Sequence, residues 1–197
     1  MCIRDRAEPF NAMGELKAGG KVMRFTGDIW KNHPCCTVCM HEEKTVEKPK
    51  WTQKVMNAVV RANVYASQNK AEVAQLLSKD GKGYYPMPAG VVKRAMTLYG
   101  VDDYLETGAN RNAAEWKNGR IDFQPWPYPS ATKFMVDSMN ETVVGGDKSF
   151  LKSLNRDKVA SDMVDYNYVK KSCEKYPEWK LDPSVNESDP YEREEVI

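Results

Sequence analysis

Trp51-Thr52-Gln53-Lys54-Val55-Met56-Asn57-Ala58-Val59-Val60-Arg61-Ala62-Asn63-Val64-Tyr65-Ala66-Ser67 is the longest stretch with a single periodicity. Its apolar residues Trp51, Val55, Met56, Val59, Ala62 and Ala66 recur in steps of three and four, which predicts one amphipathic helix. The pattern continues outward. Val73, Leu76 and Leu77 share one side of a second helix over Lys70 to Leu77, and Asp80-Gly81-Lys82-Gly83 supplies turn chemistry that stops it. Pro88 to Tyr99 reads as a third helix, with proline near its first turn and Gly100 at its end.

Further along, residues 101–122 read mostly as loop. Pro125-Trp126-Pro127-Tyr128-Pro129 cannot be helix or central strand, because alternate residues lack an N–H donor. It predicts an extended, aromatic-rich strap over a helix face. Ser130 suits the N-cap of a helix over Ala131–Met139. Shorter helices are expected near Lys148–Leu154 and Val164–Lys175, followed by a frayed, acidic tail ending Glu192-Arg193-Glu194-Glu195. Strand signals are few: Lys21–Phe25, within the glycine-bearing stretch from Gly14 to Thr26, and Pro34-Cys35-Cys36-Thr37-Val38-Cys39-Met40, read as a buried strand. His41 to Lys50 reads as a polar bridge.

With 29 basic against 28 acidic residues, the charges nearly cancel, and the chain carries no overall field to draw nucleic acid or anionic lipid. No run of eighteen apolar residues is present, and residues 1–30 hold no apolar core of a signal peptide. Met1-Cys2-Ile3-Arg4-Asp5-Arg6 fits no element that follows it and reads as a non-native leader.

Five cysteines, three of them at 35, 36 and 39, form no disulfide framework. With His33 and His41 they make the one candidate soft-metal cluster: His33, Cys35, Cys36, Cys39 and His41. On an extended strand, though, same-face neighbours stand about 6.5–7 Å apart. Zinc ligands must all lie within about 2.0–2.3 Å of the ion. Reduced cysteines in a core strand are the expected reading, and no metal is assigned.

Glu8-Pro9-Phe10-Asn11 places a carboxylate, a rigid residue, an aromatic face and an amide within four positions, which suits the wall of a small polar pocket. Taken in order, this segment, Ile29-Trp30-Lys31-Asn32-His33-Pro34 and Phe123 to Ser130 resemble the second half of an extracytoplasmic solute-binding protein of the nitrate/sulfonate/bicarbonate family of ABC importers. Gly146-Asp147-Lys148-Ser149-Phe150-Leu151 and Val164-Asp165-Tyr166 extend the resemblance, which runs from Glu8 to about Cys173. The segment from Ile29 and the strap look closer to the nitrate/bicarbonate branch than to the sulfonate branch.

That resemblance implies an α/β, type II periplasmic-binding fold, here incomplete and helix-rich. Residues 7–13 would end the second lobe and carry the ligand loop, residues 14–173 would complete the first lobe, and 174–197 would be the tail. It implies capture of a small polar solute by hinge closure, delivery to an ABC permease in the membrane, an extracytoplasmic location with the signal absent from this stretch, and no catalysis. Glu8, Phe10 and Asn11 would line the ligand site. Phe10 stands where the family more often has tryptophan, which keeps a stacking face and loses an indole donor. A bare carboxylate at Glu8 repels a small anion, so either calcium accompanies bicarbonate there or the solute carries a hydrogen-bond donor. Two alternatives remain open. The similar-looking thiamine-pyrimidine synthases use a cysteine-rich iron site, and a stand-alone helical interaction domain would need no second half.

Overall fold

The computed structural model describes residues 7–97, 101–112, 120–143 and 145–195. Among them are nine α-helices: α1 (Phe10–Ala18), α2 (Glu42–Glu47), α3 (Pro49–Gln68), α4 (Lys70–Leu77), α5 (Ala89–Thr97), α6 (Val101–Glu106), α7 (Pro129–Glu141), α8 (Arg156–Met163) and α9 (Tyr166–Lys175). Three 3₁₀ turns cover Thr26–Asp28, Ser149–Ser153 and Pro177–Leu181. No strand occurs among the described residues. Among the described residues Trp30 is the one marked by a single β-bridge. The protein is therefore helix-rich, and the two expected strands are corrected. Lys21–Phe25 and Pro34–Met40 are irregular, and Cys35, Cys36 and Cys39 are exposed where a core strand would have buried them. β-branched and apolar content does not make a strand without a neighbour to complete its ladder.

The chain separates into two compact units. One takes in the described residues up to Cys35 together with Val64–Phe123. The other is built from Cys36–Asn63 and Gln124–Glu195. α3 supplies residues to both.

In the first unit, α4 and α5 pack against each other, and α1 packs on α5. Val91, Val92, Ala95 and Met96 recur at one, three and four positions along α5 and are all buried. They meet Val73 and Ala74 of α4, Ala12 of α1 and Ala66 of α3, with Ile121 and Phe123 partly buried against them. The turn between α4 and α5 depends on Gly81. A Cβ there would lie 2.1 Å from the Gln75 carbonyl oxygen, so no side chain fits. α1 ends at Gly19, which takes the left-handed conformation at φ 62° and lets the Gly20 N–H donate to the Gly14 carbonyl.

In the second unit, α7 packs on α8, and the strap runs into α7. Pro129 is the first residue of α7 and Tyr128 its cap, so the expected cap at Ser130 is two residues late, and the proline run expected to stay out of helix gives its last residue to α7. The Ser130 hydroxyl instead donates to Glu195 Oε1 at 2.7 Å. The segment expected to fray is packed: Trp179 and Val185 are buried, and the Trp126 indole N–H donates to the Tyr191 carbonyl at 3.1 Å. Trp126 also meets Tyr191 edge-to-face and Tyr166 at a tilt, at centroid distances of 4.8 and 5.4 Å. Acidic composition misleads here because the aromatic residues between the charges carry the burial.

Other departures are local. Helix α1 occupies part of the mixed glycine-bearing stretch, α2 part of the polar bridge, and α6 part of the loop expected over 101–122. Ser149–Ser153 is a 3₁₀ turn within the helix expected there, and α8 went unpredicted although Asn155 caps it by accepting from the Lys158 N–H. Tyr99, Gly100 and the leader at 1–6 lie outside the described residues.

Candidate functional site

α1 begins at Phe10 because Glu8 and Pro9 supply its entry. Glu8 Oε2 accepts from the Ala12 N–H at 3.1 Å, satisfying one of the helix's orphan donors. Its other oxygen, Oε1, lies 2.6 Å from Arg120 Nε. Arg120 reaches a second carboxylate of the same helix, with Nη1 2.5 Å from Glu15 Oε2. Glu15 in turn accepts from the Tyr104 hydroxyl at 2.6 Å and pairs with Arg94 Nη2 at 3.2 Å. Two carboxylates therefore face two guanidiniums around one phenol, and the formal charges cancel.

Burial gives this network its force. The Arg120 side chain is 1% exposed, and those of Glu8 and Glu15 are each 11% exposed. The guanidinium also lies 5.4 Å from the centre of the Phe25 ring, within cation–π range. For Glu15, burial pushes the carboxyl upward, but the hydrogen bonds from Arg94, Tyr104 and Arg120 outweigh it and hold it below its ordinary value. Burial likewise raises the Tyr104 phenol, assisted by its bond to Glu15.

Of the three sequence-predicted ligand residues, Phe10 and Asn11 lie in the first turn of α1 and Glu8 lies in the turn just before it. Glu8 is tied into the network, Phe10 is 49% exposed, and Asn11 is half-buried. Arg120, Glu15, Arg94 and Tyr104 were not singled out from sequence. They come from four separate segments, and no spacing rule connects them. Calcium does not fit beside Glu8. Both of its oxygens are engaged, a guanidinium stands 2.6 Å away, and a cation there would have to displace it.

Asp28 is a further carboxylate of the same unit, and it is fully buried. Its oxygens accept from the backbone N–H groups of Arg111 and Asn112 at 2.9 and 2.6 Å, and Arg24 Nε lies 2.7 Å away. This pins the Thr26–Asp28 turn to the chain that follows α6.

The second unit holds an open groove of about 500 Å³ lined by Pro49, Lys50, Gln53, Asp165, Asn167, Tyr168 and Lys171. Gln53, one of the lining residues, donates to the Tyr168 carbonyl at 3.0 Å and to the Ser172 hydroxyl at 2.9 Å. Two lysines against one carboxylate make this groove mildly positive.

The candidate metal residues are not assembled. Among the described residues no group of three histidine, cysteine or carboxylate side chains could hold an ion. His33 contacts the Trp30 ring at a centroid distance of 4.9 Å, and His41 lies 3.8 Å from Glu43 with both side chains 71% exposed. Nor is any helix of the described residues long and apolar enough to cross a membrane.

Residues 2–78 match the model of the NMT1-like family. The chain is similar to the nitrate/nitrite binding protein NrtA of Nostoc sp., with 27% identity over 125 residues, 62% of this chain and 28% of that protein. It is also similar to NrtA of Synechocystis sp., with 26% identity over 116 residues, 56% of this chain and 25% of that protein. The chain thus spans about a quarter of the length of these curated relatives. No solved structure matches it significantly. The order of its segments, the family match and the two relatives fit a solute-binding protein of the nitrate/sulfonate/bicarbonate type.

Proposed function

We propose that this chain is the solute-binding component, in whole or in part, of an ABC importer that takes up a small polar anion of the nitrate class. The reading includes a type II periplasmic-binding fold, whose lobes close on the solute, and a permease partner that receives it outside the cytoplasm. The two relatives named for nitrate and nitrite binding support that choice of solute. Closure needs no covalent step. The ligand stabilises the closed form by the contacts it makes only there.

The observation that carries the site is Phe10. It is a large aromatic residue left 49% exposed on the first turn of a helix that Arg120 holds through Glu8, just before it, and Glu15 within it. A rigidly seated helix turn with an exposed ring and the Asn11 amide beside it suits a flat, hydrogen-bonding anion. Glu8 shares the site chiefly by fixing the turn. With its charge matched by Arg120, it no longer repels an anion as a bare carboxylate would.

Titration calorimetry with nitrate, nitrite, bicarbonate and methanesulfonate tests the proposal. At least one should bind without added calcium, and Phe10→Ala should weaken it roughly tenfold, corresponding to about 1.4 kcal/mol. Binding that survives both Phe10→Ala and Asn11→Ala at full strength would move the site elsewhere. Its loss in Lys50→Ala/Lys171→Ala instead would assign it to the groove of the second unit. An absence of heat with all four anions would sink the solute class.

A further inference from the structure

Gly14 interrupts α1 at a place where the fold does not ask for a glycine. Its backbone is helical rather than left-handed, and a Cβ there would meet no atom within 4 Å. Gly81, by contrast, has no room for a side chain. A glycine inside a helix is less stable than an alanine in the same position. Neither backbone geometry nor packing accounts for Gly14.

The positions around it supply a reason. On a helix surface a residue neighbours those three and four positions away, so Gly14 is ringed by Phe10, Asn11, Lys17 and Ala18. Ala12, 0% exposed, faces the core instead. Phe10 is the exposed ring on which the solute site rests. Lys17 is exposed as well, and its charge differs from the others of this segment. Glu8 is matched by Arg120, and Glu15 by Arg120 and Arg94, whereas Lys17 pairs with no described residue. A helical side chain lies over the turn N-terminal to its own Cα. Lys17 therefore extends toward Gly14, with Phe10 one turn beyond.

We propose that Gly14 and Lys17 complete the solute site. The bare backbone at Gly14 leaves a notch in which a small oxyanion lies beside the Phe10 ring, and Lys17 supplies its counter-charge. This rests on the solute-binding function assigned to the first turn of α1 and adds two specificity-determining residues to it. The charge balance fits a monovalent anion. With both carboxylates answered by guanidiniums, the Lys17 ammonium is the uncompensated charge of α1. The missing Cβ sets the size of the notch, because even a methyl group would occupy it.

Gly14→Ala separates this role from a structural one, since the two move in opposite directions. With open space for the methyl and a better helix former in place, the variant should melt above the parent. Its affinity for nitrate, measured by titration calorimetry on the full chain, should fall about tenfold as the methyl takes up the notch. Lys17→Gln should fold like the parent by circular dichroism and weaken nitrate by up to about fivefold at low salt. It should also flatten the decline of affinity with added salt. Nitrate bound at full strength by either variant would overturn the proposal. So would a lower melting temperature for Gly14→Ala, which would make the glycine a requirement of the fold. If Phe10→Ala alone weakens binding, the solute site stands without the notch. Failure of the parent to bind nitrate would also overturn the notch, and the solute-binding function falls with it only if nitrite, bicarbonate and methanesulfonate give no heat either.

Discussion

Arg120 keeps a side chain only 1% exposed between two carboxylates, whereas Trp126, 7% exposed as a residue, is enclosed by the rings of Tyr166 and Tyr191. Both residues draw distant segments together. Arg120 joins α1 to the chain after α6, and Trp126 joins the strap to the C-terminal segment. The first does so with charge, which is costly to desolvate and useful only while every partner is present. The second does so with apolar area, which contributes roughly in proportion to what is buried. An ion network therefore fails abruptly when one member is removed, while an aromatic cluster loses stability in proportion to what is cut away.

The largest expected effect breaks the charged side of this contrast. Arg120→Met leaves Glu8 and Glu15 facing each other with only Arg94 to compensate, and should cost about 3–5 kcal/mol in urea unfolding. Trp126→Ala removes a buried ring and its hydrogen bond to Tyr191, and should cost about 3 kcal/mol by the same measurement. If Trp126→Ala proved the more damaging of the two, the contrast would be reversed.

Acid separates the two regions more sharply. The Glu15 carboxyl is held below its ordinary 4.5, so its charged form stabilises the fold above that pH. This contribution is lost as pH falls through the depressed folded value. Glu15→Gln should cost about 1.5–3 kcal/mol at neutral pH, the range for a hydrogen bond to a charged group. It should also flatten the loss of stability below pH 4.5, followed by thermal melts across pH. A variant with the parent's acid profile would remove Glu15 as its source.

Smaller effects sharpen the aromatic side. Ser130→Ala deletes the hydroxyl that holds Glu195 and should cost about 1–2 kcal/mol, with faster amide exchange in the C-terminal segment. Asp165→Ala removes the cap that accepts from the Asn167 N–H and should cost about 1 kcal/mol, read as a small drop in melting temperature. Equal protection of the C-terminal segment in Ser130→Ala would mean that the rings alone hold it.

Local chemistry made several elements legible. The periodicity of Trp51–Ser67 and the run Lys70–Leu77 match α3 and α4, because an apolar stripe at helical spacing is informative without knowing its partner. The strap's prolines likewise keep residues 125–128 out of helix, whereas Pro129, free of an upstream helical turn, opens α7. α1, α2 and α6 were obscured by glycine or charge, since short helices owe their stability to packing more than to propensity. The Pro34–Met40 segment erred in the opposite sense. Its residues favour a strand, but no neighbouring strand is present among the described residues to pair with it.

Sequence by itself determined the longer helices, the strap, the near-neutral charge and the clustering of Glu8, Phe10 and Asn11 on one short segment. Only the tertiary structure decided that Glu8 is answered by Arg120, that Glu15, Arg94 and Tyr104 complete the network, and that the acidic C-terminal segment packs against Trp126. The physical reason is separation along the chain. A helix is written in residues three and four apart, but the pairing of Glu8 with Arg120 spans 112 positions. Such a pairing exists only once packing has brought both side chains out of water.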